Sequence, residues 1–428
     1  MYLRTDFVQR HRKAGRQRRA LLRGKVDVVN FKDNSVRITL LSEIFPPIHG
    51  GSGRWFAEMY PRLTNADVTY IVGNHPDAKT LDIEKGWKTH RWDFGWHFNG
   101  IEDVSQMGKH LKGAWRLRRF LQRHPTDQLH AGRPLSEGFV AAMACPKHTP
   151  LVCFVHGEDV SVAKTSRQLT LVTRWTLSRC SRLIANSKNT QSMLQNEWNI
   201  PEDKILLIHP GVNCGQYTTA VDRDSLRESL GWEGRLVVLT VGRLQRRKGQ
   251  DTALHCVVKL RERFPNLLWV IAGSGQDAEY LRELAQRLDV QANVRFHDSL
   301  NDRQLQEMYR AADIFVLPNR TVGRDIEGFG IVLLEAQASG LPVIAGDSGG
   351  TIDAVSDGVT GHVVDCSDIE NPRDLAEKLT RLLESETQRI RFGQAGVQWA
   401  TSFDWERVAN RAWQEFETLD RQTQRKRS

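Results

Sequence analysis

The sequence predicts an α/β protein built from two doubly wound, Rossmann-like domains with a cleft between them. Its 428 residues are too many for one ordinary hydrophobic core, which favours two domains. From Val36 onward, short apolar runs alternate with helical patterns, as in parallel sheets that helices cover on both faces. The alternation breaks in a glycine-rich segment, residues 211–235, and then restarts.

The domain boundaries follow from these breaks. Residues 1–35 are strongly basic, and like charge at that density predicts a disordered tail. We expect an N-terminal domain over residues 36–210, a linker over residues 211–235 and a C-terminal domain over residues 236–404. Residues 405–428 form a separate helical segment at the end of the chain.

Short apolar runs predict the strands. They cover residues 36–41, 68–72, 151–155, 183–185 and 205–208 of the first domain and 236–241, 268–272, 294–296, 314–317 and 343–345 of the second. Helical patterns fall over residues 54–63, 136–144, 166–179, 250–264, 277–288 and 331–339. In such sheets ligands bind beyond the carboxyl ends of the strands, so the cleft is the expected site.

Several classes of protein do not fit the sequence. No apolar run is long enough to span a bilayer, and the N-terminus lacks the hydrophobic block of a signal peptide. The six cysteines have no zinc-ligand spacing and are expected to be reduced thiols. Asp222-Arg223-Asp224 opens a helical stretch, so we interpret its acids as a helix cap rather than a metal site. We expect a cytoplasmic protein without a metal or a cofactor.

A basic loop follows the first strand of the C-terminal domain. It carries Arg243 and Lys248 between two bracketing glycines. A diphosphate needs fixed positive charge, which Arg offers as a planar fork and Lys as a point charge. The sequence therefore predicts phosphate binding by Arg243 and Lys248, and it predicts that Arg246 and Arg247 are solvated.

Two acids flank the start of a later helix. Glu327 precedes Gly328 and Gly330, and Glu335 lies about one turn inside the helix that starts near Ile331. Glycines let backbone approach a ligand, and the free N–H groups of a helix start bind anions. The two carboxylates suit sugar and ribose hydroxyls. The alternative is a favourable charge at a helix N-terminus for Glu327 and a surface acid for Glu335.

Three further turns end strands at the same edge of the predicted sheets. Gly50 and Gly51 follow the first strand, and Gly273 follows a strand of the second domain. Backbone N–H groups in such turns can meet a phosphate. His156 ends another strand, where it either donates to a phosphate or sugar hydroxyl or is a hydrogen-bonded loop residue.

A basic amphipathic pattern covers residues 109–124. Such a helix can lie on an anionic membrane, but more often it packs its apolar face into its own core, which we favour. The remaining positive charge is concentrated in the N-terminal tail, without an aromatic platform there, so nucleic acid is not an expected partner.

These residues resemble the retaining family 4 glycosyltransferases of the GT-B fold, over nearly all of residues 36–420. The resemblance rests on Gly242-Arg243…Lys248-Gly249, on the Glu327…Glu335 pair, on the Pro46-Pro47-x-x-Gly50-Gly51 loop and on His156-Gly157. The segments that begin at Asn319 and Ala345 look like the branch that includes bacterial phosphatidyl-inositol mannosyltransferases.

The resemblance implies roles for the matching residues. Arg243 and Lys248 would bind the donor diphosphate, with Gly50 and Gly51 against it. Glu327 would contact the sugar hydroxyls, Glu335 the ribose, and His156 would lie near the sugar. Backbone N–H groups would come from Phe329, Gly330 and Ile331. The N-terminal domain would bind the acceptor, and the last helix would cross back to pack on that domain.

The implied reaction moves a hexose, of mannose or glucose type, from a GDP- or UDP-linked donor to a glycan, lipid or small-molecule acceptor. The chain departs from the mannosyltransferase pattern in Glu158-Asp159, where His-Glu is expected, and in Thr351-Ile352, where Ala-Pro is expected. Two alternatives remain: a GT-B epimerase or phosphorylase, and a non-catalytic sugar-nucleotide-binding protein.

Overall fold

The structure is a computed structural model that describes residues 35–95, 104–217, 222–298 and 300–427. The predicted basic tail, apart from Ser35, lies outside the described residues. Residues Val36–Ser428 form one compact unit. The described part of this unit contains two parallel sheets.

Seven parallel strands form the first sheet. They are β1 (Val36–Ser42), β2 (Ala66–Gly73), β3 (Thr89–Trp92), β4 (Gln128–Ala131), β5 (Leu151–Val155), β6 (Arg182–Ala185) and β7 (Ile205–Leu207). Their order is β3-β2-β1-β4-β5-β6-β7, so the direction of winding reverses between β1 and β4. Leu40 and Leu41 of β1 point to opposite faces and enter separate hydrophobic clusters, which shows that both faces are covered.

Helices connect these strands. They are α1 (Gly51–Met59), α2 (Ala78–Lys85), α3 (Val104–Arg123), α4 (Phe139–Ala144), α5 (Glu158–Ala163), α6 (Arg167–Arg179) and α7 (Lys188–Asn196). Within the described residues, none of the helices of the chain is long and apolar enough to cross a membrane.

The second sheet has six parallel strands. They are β8 (Leu236–Val241), β9 (Leu267–Ala272), β10 (Val294–His297), β11 (Ile314–Leu317), β12 (Val343–Gly346) and β13 (Gly361–Val364). Their order is β10-β9-β8-β11-β12-β13, with the reversal between β8 and β11. Ligand sites of doubly wound sheets lie at such reversals, beyond the carboxyl ends of the strands.

The remaining helices cover the second sheet and end the chain. They are α8 (Arg223–Leu230), α9 (Gln250–Leu260), α10 (Ala278–Arg287), α11 (Asp302–Ala311), α12 (Ile331–Ala338), α13 (Thr351–Ala354), α14 (Arg373–Glu384), α15 (Glu386–Thr401) and α16 (Trp405–Arg427). Helix α8 falls in the segment predicted as linker, and Trp232 just after it is fully buried.

The long helix α16 packs on the first domain. Trp405 and Phe416 are buried in the same cluster as Leu40 of β1 and Phe56 of α1. The chain thus passes between the domains twice, and the two passages run side by side. Val212 N donates to Phe403 O at 2.9 Å, and Trp405 N donates to Val212 O at 3.2 Å.

Strands β5, β8 and β11 have the predicted bounds. Two predicted helix starts were wrong. Helix α1 begins at Gly51 rather than at residue 54, because the glycines belong to its first turn: a Cβ on Gly53 would lie 3.0 Å from Ile44 O. Helix α4 begins at Phe139 rather than at residue 136, because Ser136 has φ +59°, which no right-handed helix accepts.

The amphipathic segment at residues 109–124 lies in α3. Leu117 and Leu121 are buried in the core, as expected if the apolar face of the helix packs into the protein. Leu111 and Trp115 are not: the Trp115 side chain is 62% exposed. The apolar residues of this helix are therefore divided between the core and the surface.

Candidate active site

The basic loop after β8 places the side chain of Lys248 in the cleft. A single 3₁₀ turn over Arg246–Lys248 directs Lys248 inward, where its side chain is only 10% exposed. Its Nζ lies 2.6 Å from Oε2 of Glu327, which belongs to the loop before α12. Two residues from distant parts of the chain thus form a buried ion pair at the reversal between β8 and β11.

Arg247 shares this ion pair, so the prediction that it is solvated was wrong. Its guanidinium pairs with Oε2 of Glu327, lies 3.1 Å from Asp325, and lies 3.3 Å from Glu158 of the first domain. The same turn that buries Lys248 also turns Arg247 inward, and three carboxylates hold it there. Arg246 does lie outside, with its guanidinium 3.5 Å from the centroid of the Tyr280 ring.

Glu327 is buried as an ionised carboxylate. Burial by itself raises its pKa, but the charges and hydrogen bonds of Lys248 and Arg247 outweigh burial and hold the pKa below its ordinary value. Both cations contact the same oxygen, Oε2. They fix the carboxylate without using Oε1, which remains suited to a ligand hydroxyl.

Arg243 differs from its neighbours in the loop. Its side chain is exposed, and among the described residues it takes part in no ion pair. Gln250 Nε2 donates to its carbonyl oxygen at 3.1 Å, which fixes the backbone. An unpaired guanidinium at the carboxyl end of β8 is what a diphosphate would require.

Helix α12 presents its start to the same cleft. It begins at Ile331, directly after Gly330, whose φ of +82° favours glycine. Glu335 lies one turn further on and is 1% exposed. Its Oε2 accepts a hydrogen bond from Tyr309 at 2.9 Å, and its Oε1 pairs with the guanidinium of Arg54.

The first domain faces this helix with the start of α1. A Cβ on Gly51 would lie 3.9 Å from Cδ1 of Ile331, so the first residues of α1 and α12 face each other. Gly50 packs against Ile44, where a Cβ would lie 2.7 Å from the side chain. Two helix starts, each with free N–H groups, therefore converge on one space.

His156 lies on the first-domain side of the cleft. Its Nε2 donates to Gly132 O at 2.9 Å, and its ring lies edge-on to Trp55. A Cβ on Gly328 would lie 2.6 Å from the His156 carbonyl oxygen, so only glycine permits this approach of the Glu327 loop. The structure thus brings His156 and Glu327 to the same part of the cleft.

The other predicted contact residues have clear structural environments. A Cβ on Gly273 would lie 2.0 Å from Gly242 O, so glycine lets the loops after β8 and β9 pass each other. The Phe329 side chain is buried between His209 and Phe403, which leaves only its backbone for a ligand. The contacts of Gly273 and Phe329 with a donor stay predictions.

A polar cluster that the sequence analysis missed lies at the reversal between β1 and β4. Arg133 Nη2 lies 3.0 Å from Glu43 and 3.0 Å from Glu137. Glu137 is fully buried, and its Oε2 has no hydrogen-bond partner among the described residues. The sequence gives only a weak indication of this cluster, because Arg133 follows the short polar strand β4, which the apolar pattern does not predict.

In the part of the chain that the structure describes, no three His, Cys, Asp or Glu side chains are grouped as metal ligands. Asp222 accepts a hydrogen bond from Ser225 N at 3.2 Å, which makes it the cap of α8.

Comparison with known proteins identifies the family of the chain. Residues 49–216 match the model of Glycosyltransferase Family 4, and residues 222–399 match that of Glycosyl transferases group 1. The D-inositol 3-phosphate glycosyltransferase of Streptomyces bingchenggensis is 34% identical over 407 residues, which cover 87% of each chain.

Two further relatives match less of the chain. The GDP-mannose-dependent alpha-(1-6)-phosphatidylinositol monomannoside mannosyltransferase of Mycolicibacterium smegmatis is 32% identical, over 67% of this chain and 75% of that protein. The D-inositol 3-phosphate glycosyltransferase of Corynebacterium efficiens is 38% identical over 53% of this chain, and the match spans about half of that protein, 54% of its length.

Solved structures show the same architecture. Anabaena HepE in complex with UDP superposes with a TM-score of 0.73 at 22% identity, covering 90% of this chain and 99% of HepE. Sucrose-phosphate synthase from Thermosynechococcus elongatus gives 0.73 at 21% identity, with the same coverage. The chain therefore belongs to the family 4 glycosyltransferases, enzymes of the GT-B fold.

Proposed function

We propose that the enzyme transfers a hexose of mannose or glucose type from a nucleoside diphosphate sugar, GDP- or UDP-linked, to an acceptor hydroxyl, with retention at the anomeric carbon. The observation that carries the proposal is the loop after β8, which holds the exposed Arg243 and the Lys248 that pairs with the buried Glu327 just before α12. Fixed positive charge and two helix starts meet there, as a departing diphosphate requires.

Each part of the site then has a task. Arg243, Lys248 and the N–H groups at Ile331 stabilise the charge that develops on the leaving diphosphate. Glu327 uses Oε1 to accept from a sugar hydroxyl, and His156 lies at the sugar. Glu335 accepts from the ribose. We propose front-side attack assisted by the leaving phosphate, since these carboxylates are assigned to hydroxyl recognition rather than to nucleophilic attack.

The proposed reaction requires no metal ion and no cofactor, because Arg243 and Lys248 supply the positive charge. Turnover in the presence of EDTA should equal turnover without it. A loss of turnover that added Mg²⁺ or Mn²⁺ restores would overturn this part of the proposal.

The acceptor is a glycan, lipid or small molecule that binds on the first-domain side. The names of two relatives specify a phosphatidylinositol monomannoside and an inositol phosphate, both rich in hydroxyls. The cluster of Arg133, Glu43 and Glu137 suits such an acceptor, because the Glu43 carboxylate accepts from hydroxyls and the Arg133 guanidinium, which Glu137 holds from behind, donates to them.

The test is transfer from a panel of GDP- and UDP-sugars by the wild type, Arg243→Ala, Glu327→Gln and the control Arg246→Ala. Arg246 lies in the same loop but points away from the cleft toward Tyr280. We expect Arg243→Ala to lower turnover by about 100-fold, as loss of a charge-stabilising donor does. Equal turnover by both site variants and the wild type would refute the assignment.

Two other reactions have distinct signatures in the same assay. Donor consumption without acceptor indicates an epimerase, and dependence on free phosphate indicates a phosphorylase. Binding of a sugar nucleotide without turnover across an acceptor panel indicates a non-catalytic binding protein.

We further propose that the enzyme works in the cytoplasm, at the inner face of the membrane, through a surface formed by α3 and α6. Neither helix contains Asp or Glu. Leu111 and Trp115 of α3 and Leu171 and Trp175 of α6 are exposed. The two helices are neighbours through α4, where the Phe139 ring lies 5.4 Å from Trp175.

Exposed aromatic and apolar side chains among cations suit an anionic lipid surface. Lys112, Arg116 and Arg119 of α3 are exposed, and Arg119 lies 5.4 Å from the Trp115 ring centroid. Arg167 and Arg174 supply the charge on α6. Tryptophan, with its amphipathic ring, is enriched at the membrane–water interface.

Sedimentation with vesicles of phosphatidylglycerol and phosphatidylcholine tests this surface. We expect binding that falls with salt and with neutral vesicles, because exposed charges are screened. Trp115→Ser and Trp175→Ser should weaken it several-fold. Ile390→Ser, which removes an exposed apolar residue of the second domain, should not. Equal sedimentation with neutral vesicles, or by all three variants, contradicts the proposal.

A further inference from the structure

We propose that Arg54, a residue of the first domain, orients the Glu335 carboxylate for the donor ribose, so that the ribose is recognised by both domains at once. The inference rests on the proposed function, because it takes Glu335 as the ribose carboxylate. Arg54 is a positioning residue in this proposal: it acts through Glu335.

The two residues hold equivalent places on facing helices. Gly51 begins α1 and Ile331 begins α12, and these first residues face each other. Arg54 lies three residues along α1 and Glu335 four residues along α12, about one helical turn from each start. A nucleotide with its diphosphate at the two helix starts therefore has its ribose beside Arg54 and Glu335.

The hydrogen bonds of Glu335 leave one acceptor direction for a ribose hydroxyl. Arg54 contacts Oε1, and the Tyr309 hydroxyl donates to Oε2 at 2.9 Å. A carboxylate has about four lone-pair directions, two on each oxygen. The Tyr217 hydroxyl also hydrogen-bonds to this carboxylate. One direction thus remains, which suits the 2′ hydroxyl of a ribose.

Burial makes the arginine necessary. Glu335 is 1% exposed, and a buried carboxylate without a cation is strongly unfavourable. Among the described residues, Arg54 is the one cation that pairs with it. Without Arg54 the carboxylate would lose the partner of its Oε1 and could rotate, which would remove an acceptor from the ribose.

Arg54 is itself held in place. Its Nη2 donates to the Tyr217 hydroxyl at 3.1 Å, and the Tyr217 ring lies edge-on to Tyr309 at 5.7 Å. Its side chain is 36% exposed, whereas Glu335 beneath it is closed off. The guanidinium therefore lies at the surface of the cleft and the carboxylate behind it.

A competing hypothesis is that Arg54 blocks the site as a plug, so that the donor must displace it from Glu335. The two hypotheses predict opposite changes. Removal of a plug would strengthen the binding of every nucleotide. Removal of a positioning residue would weaken the binding of nucleotides that carry the 2′ hydroxyl and would affect their 2′-deoxy analogues little.

The experiment compares UDP with 2′-deoxy-UDP and GDP with 2′-deoxy-GDP by calorimetric titration. The proteins are the wild type, Arg54→Ala, Arg54→Lys and a control, Arg62→Ala, which removes an arginine just after α1 that pairs with Glu58 and Glu406. We expect the wild type and the control to prefer the ribonucleotide by about tenfold or more, as for a hydrogen bond to a charged group.

Arg54→Ala should lose most of this preference through weaker binding of the ribonucleotide, and Arg54→Lys should restore part of it. General damage to the site would weaken both nucleotides equally and leave the preference unchanged. That result, or tighter binding of both nucleotides by Arg54→Ala, would overturn the inference about Arg54 but would leave the proposed function standing. If the wild type binds neither pair of nucleotides, the proposed function fails and this inference fails with it.

Discussion

Arg247 shows how much a single side chain depends on its partners. It lies between Glu158, Asp325 and Glu327, with its side chain 11% exposed. Glu158 is also a position where the chain departs from the mannosyltransferase pattern. The departure therefore has a structural counterpart, since this acid reaches across the cleft to Arg247.

Replacement of Arg247 by Ala should lower the free energy of unfolding by about 3 kcal/mol, because it leaves the buried Glu327 carboxylate with one cation fewer. The measurement is urea denaturation at neutral pH. Arg263→Ala is the matched control: Arg263 is 62% exposed and pairs with Glu384 on the surface. A surface pair contributes about 0–1 kcal/mol, so similar losses in the two variants would contradict the buried network.

Lys248 and Glu327 were predictable because glycines bracket their loops and both loops follow strands. Arg247 was not, although it is adjacent in sequence to Lys248. Its inward direction depends on the 3₁₀ turn over Arg246–Lys248 and on acids far away in the chain. Local sequence shows a run of cations, and only the fold distinguishes the buried members from the solvated one.

Strand β4 is an element whose buried side chains are partly polar. Tyr60 and His130 share a hydrogen bond of 2.7 Å, and His130 contacts Gln128 at 3.1 Å. Gln128 Nε2 then donates to Phe416 O of α16 at 2.6 Å. The strand thus ties the last helix to the first sheet through hydrogen bonds as well as apolar packing.

This contact makes the docking of α16 sensitive to acid. Burial lowers the pKa of His130 to about 3, whereas an unfolded His has a pKa of about 6.5. Below pH 6.5 the unfolded chain therefore binds a proton that the folded chain does not. Stability from this residue is complete above pH 6.5 and is lost as the pH falls toward 3, by about 1.4 kcal/mol per pH unit.

The check is the free energy of unfolding between pH 7 and pH 4 for the wild type, His130→Gln and His148→Gln. His130→Gln should show the shallower pH dependence, whatever its stability at pH 7. His148 is exposed, and its variant should follow the wild type. Parallel curves for all three proteins would show that His130 does not titrate as its burial requires.

The strands and helices differ in how accurately the sequence predicts their existence and their bounds. Strands β5, β8 and β11 are continuous apolar runs, and their bounds were predicted. Strand β4 reads Gln-Leu-His-Ala, and its polar residues conceal a strand that is buried throughout. The apolar residues of α16 recur with helical spacing, but the surface they cover is far away in the chain and its contacts are not visible locally.

At the scale of the whole molecule, the chain crosses between the two domains twice. Further polar contacts join the domains across the cleft. Asp353 of α13 accepts from Lys188 N at the start of α7 at 2.5 Å and lies 3.3 Å from His209. Together with Arg54–Glu335 and Arg247–Glu158, it links the domains across the cleft.

Asp353→Ala should increase the radius of gyration of the unliganded protein, because it removes a buried acceptor from this contact. Small-angle X-ray scattering measures the change, and a bound nucleotide should reverse it. Asp357→Ala, which removes an exposed acid of the same domain, is the control. An unchanged radius for Asp353→Ala would show that the remaining contacts suffice to hold the domains together.

The position of α16 also bears on how the protein is made. A ribosome releases the first domain long before residues 405–427, yet the apolar face of the first sheet and α1 is covered only when that helix arrives. The nascent first domain therefore lacks the buried contacts of Trp405 and Phe416 through the synthesis of the entire second domain. Exposed apolar surface of this kind is prone to aggregation and is bound by chaperones. Completion of the first domain thus follows the synthesis of the second domain rather than preceding it.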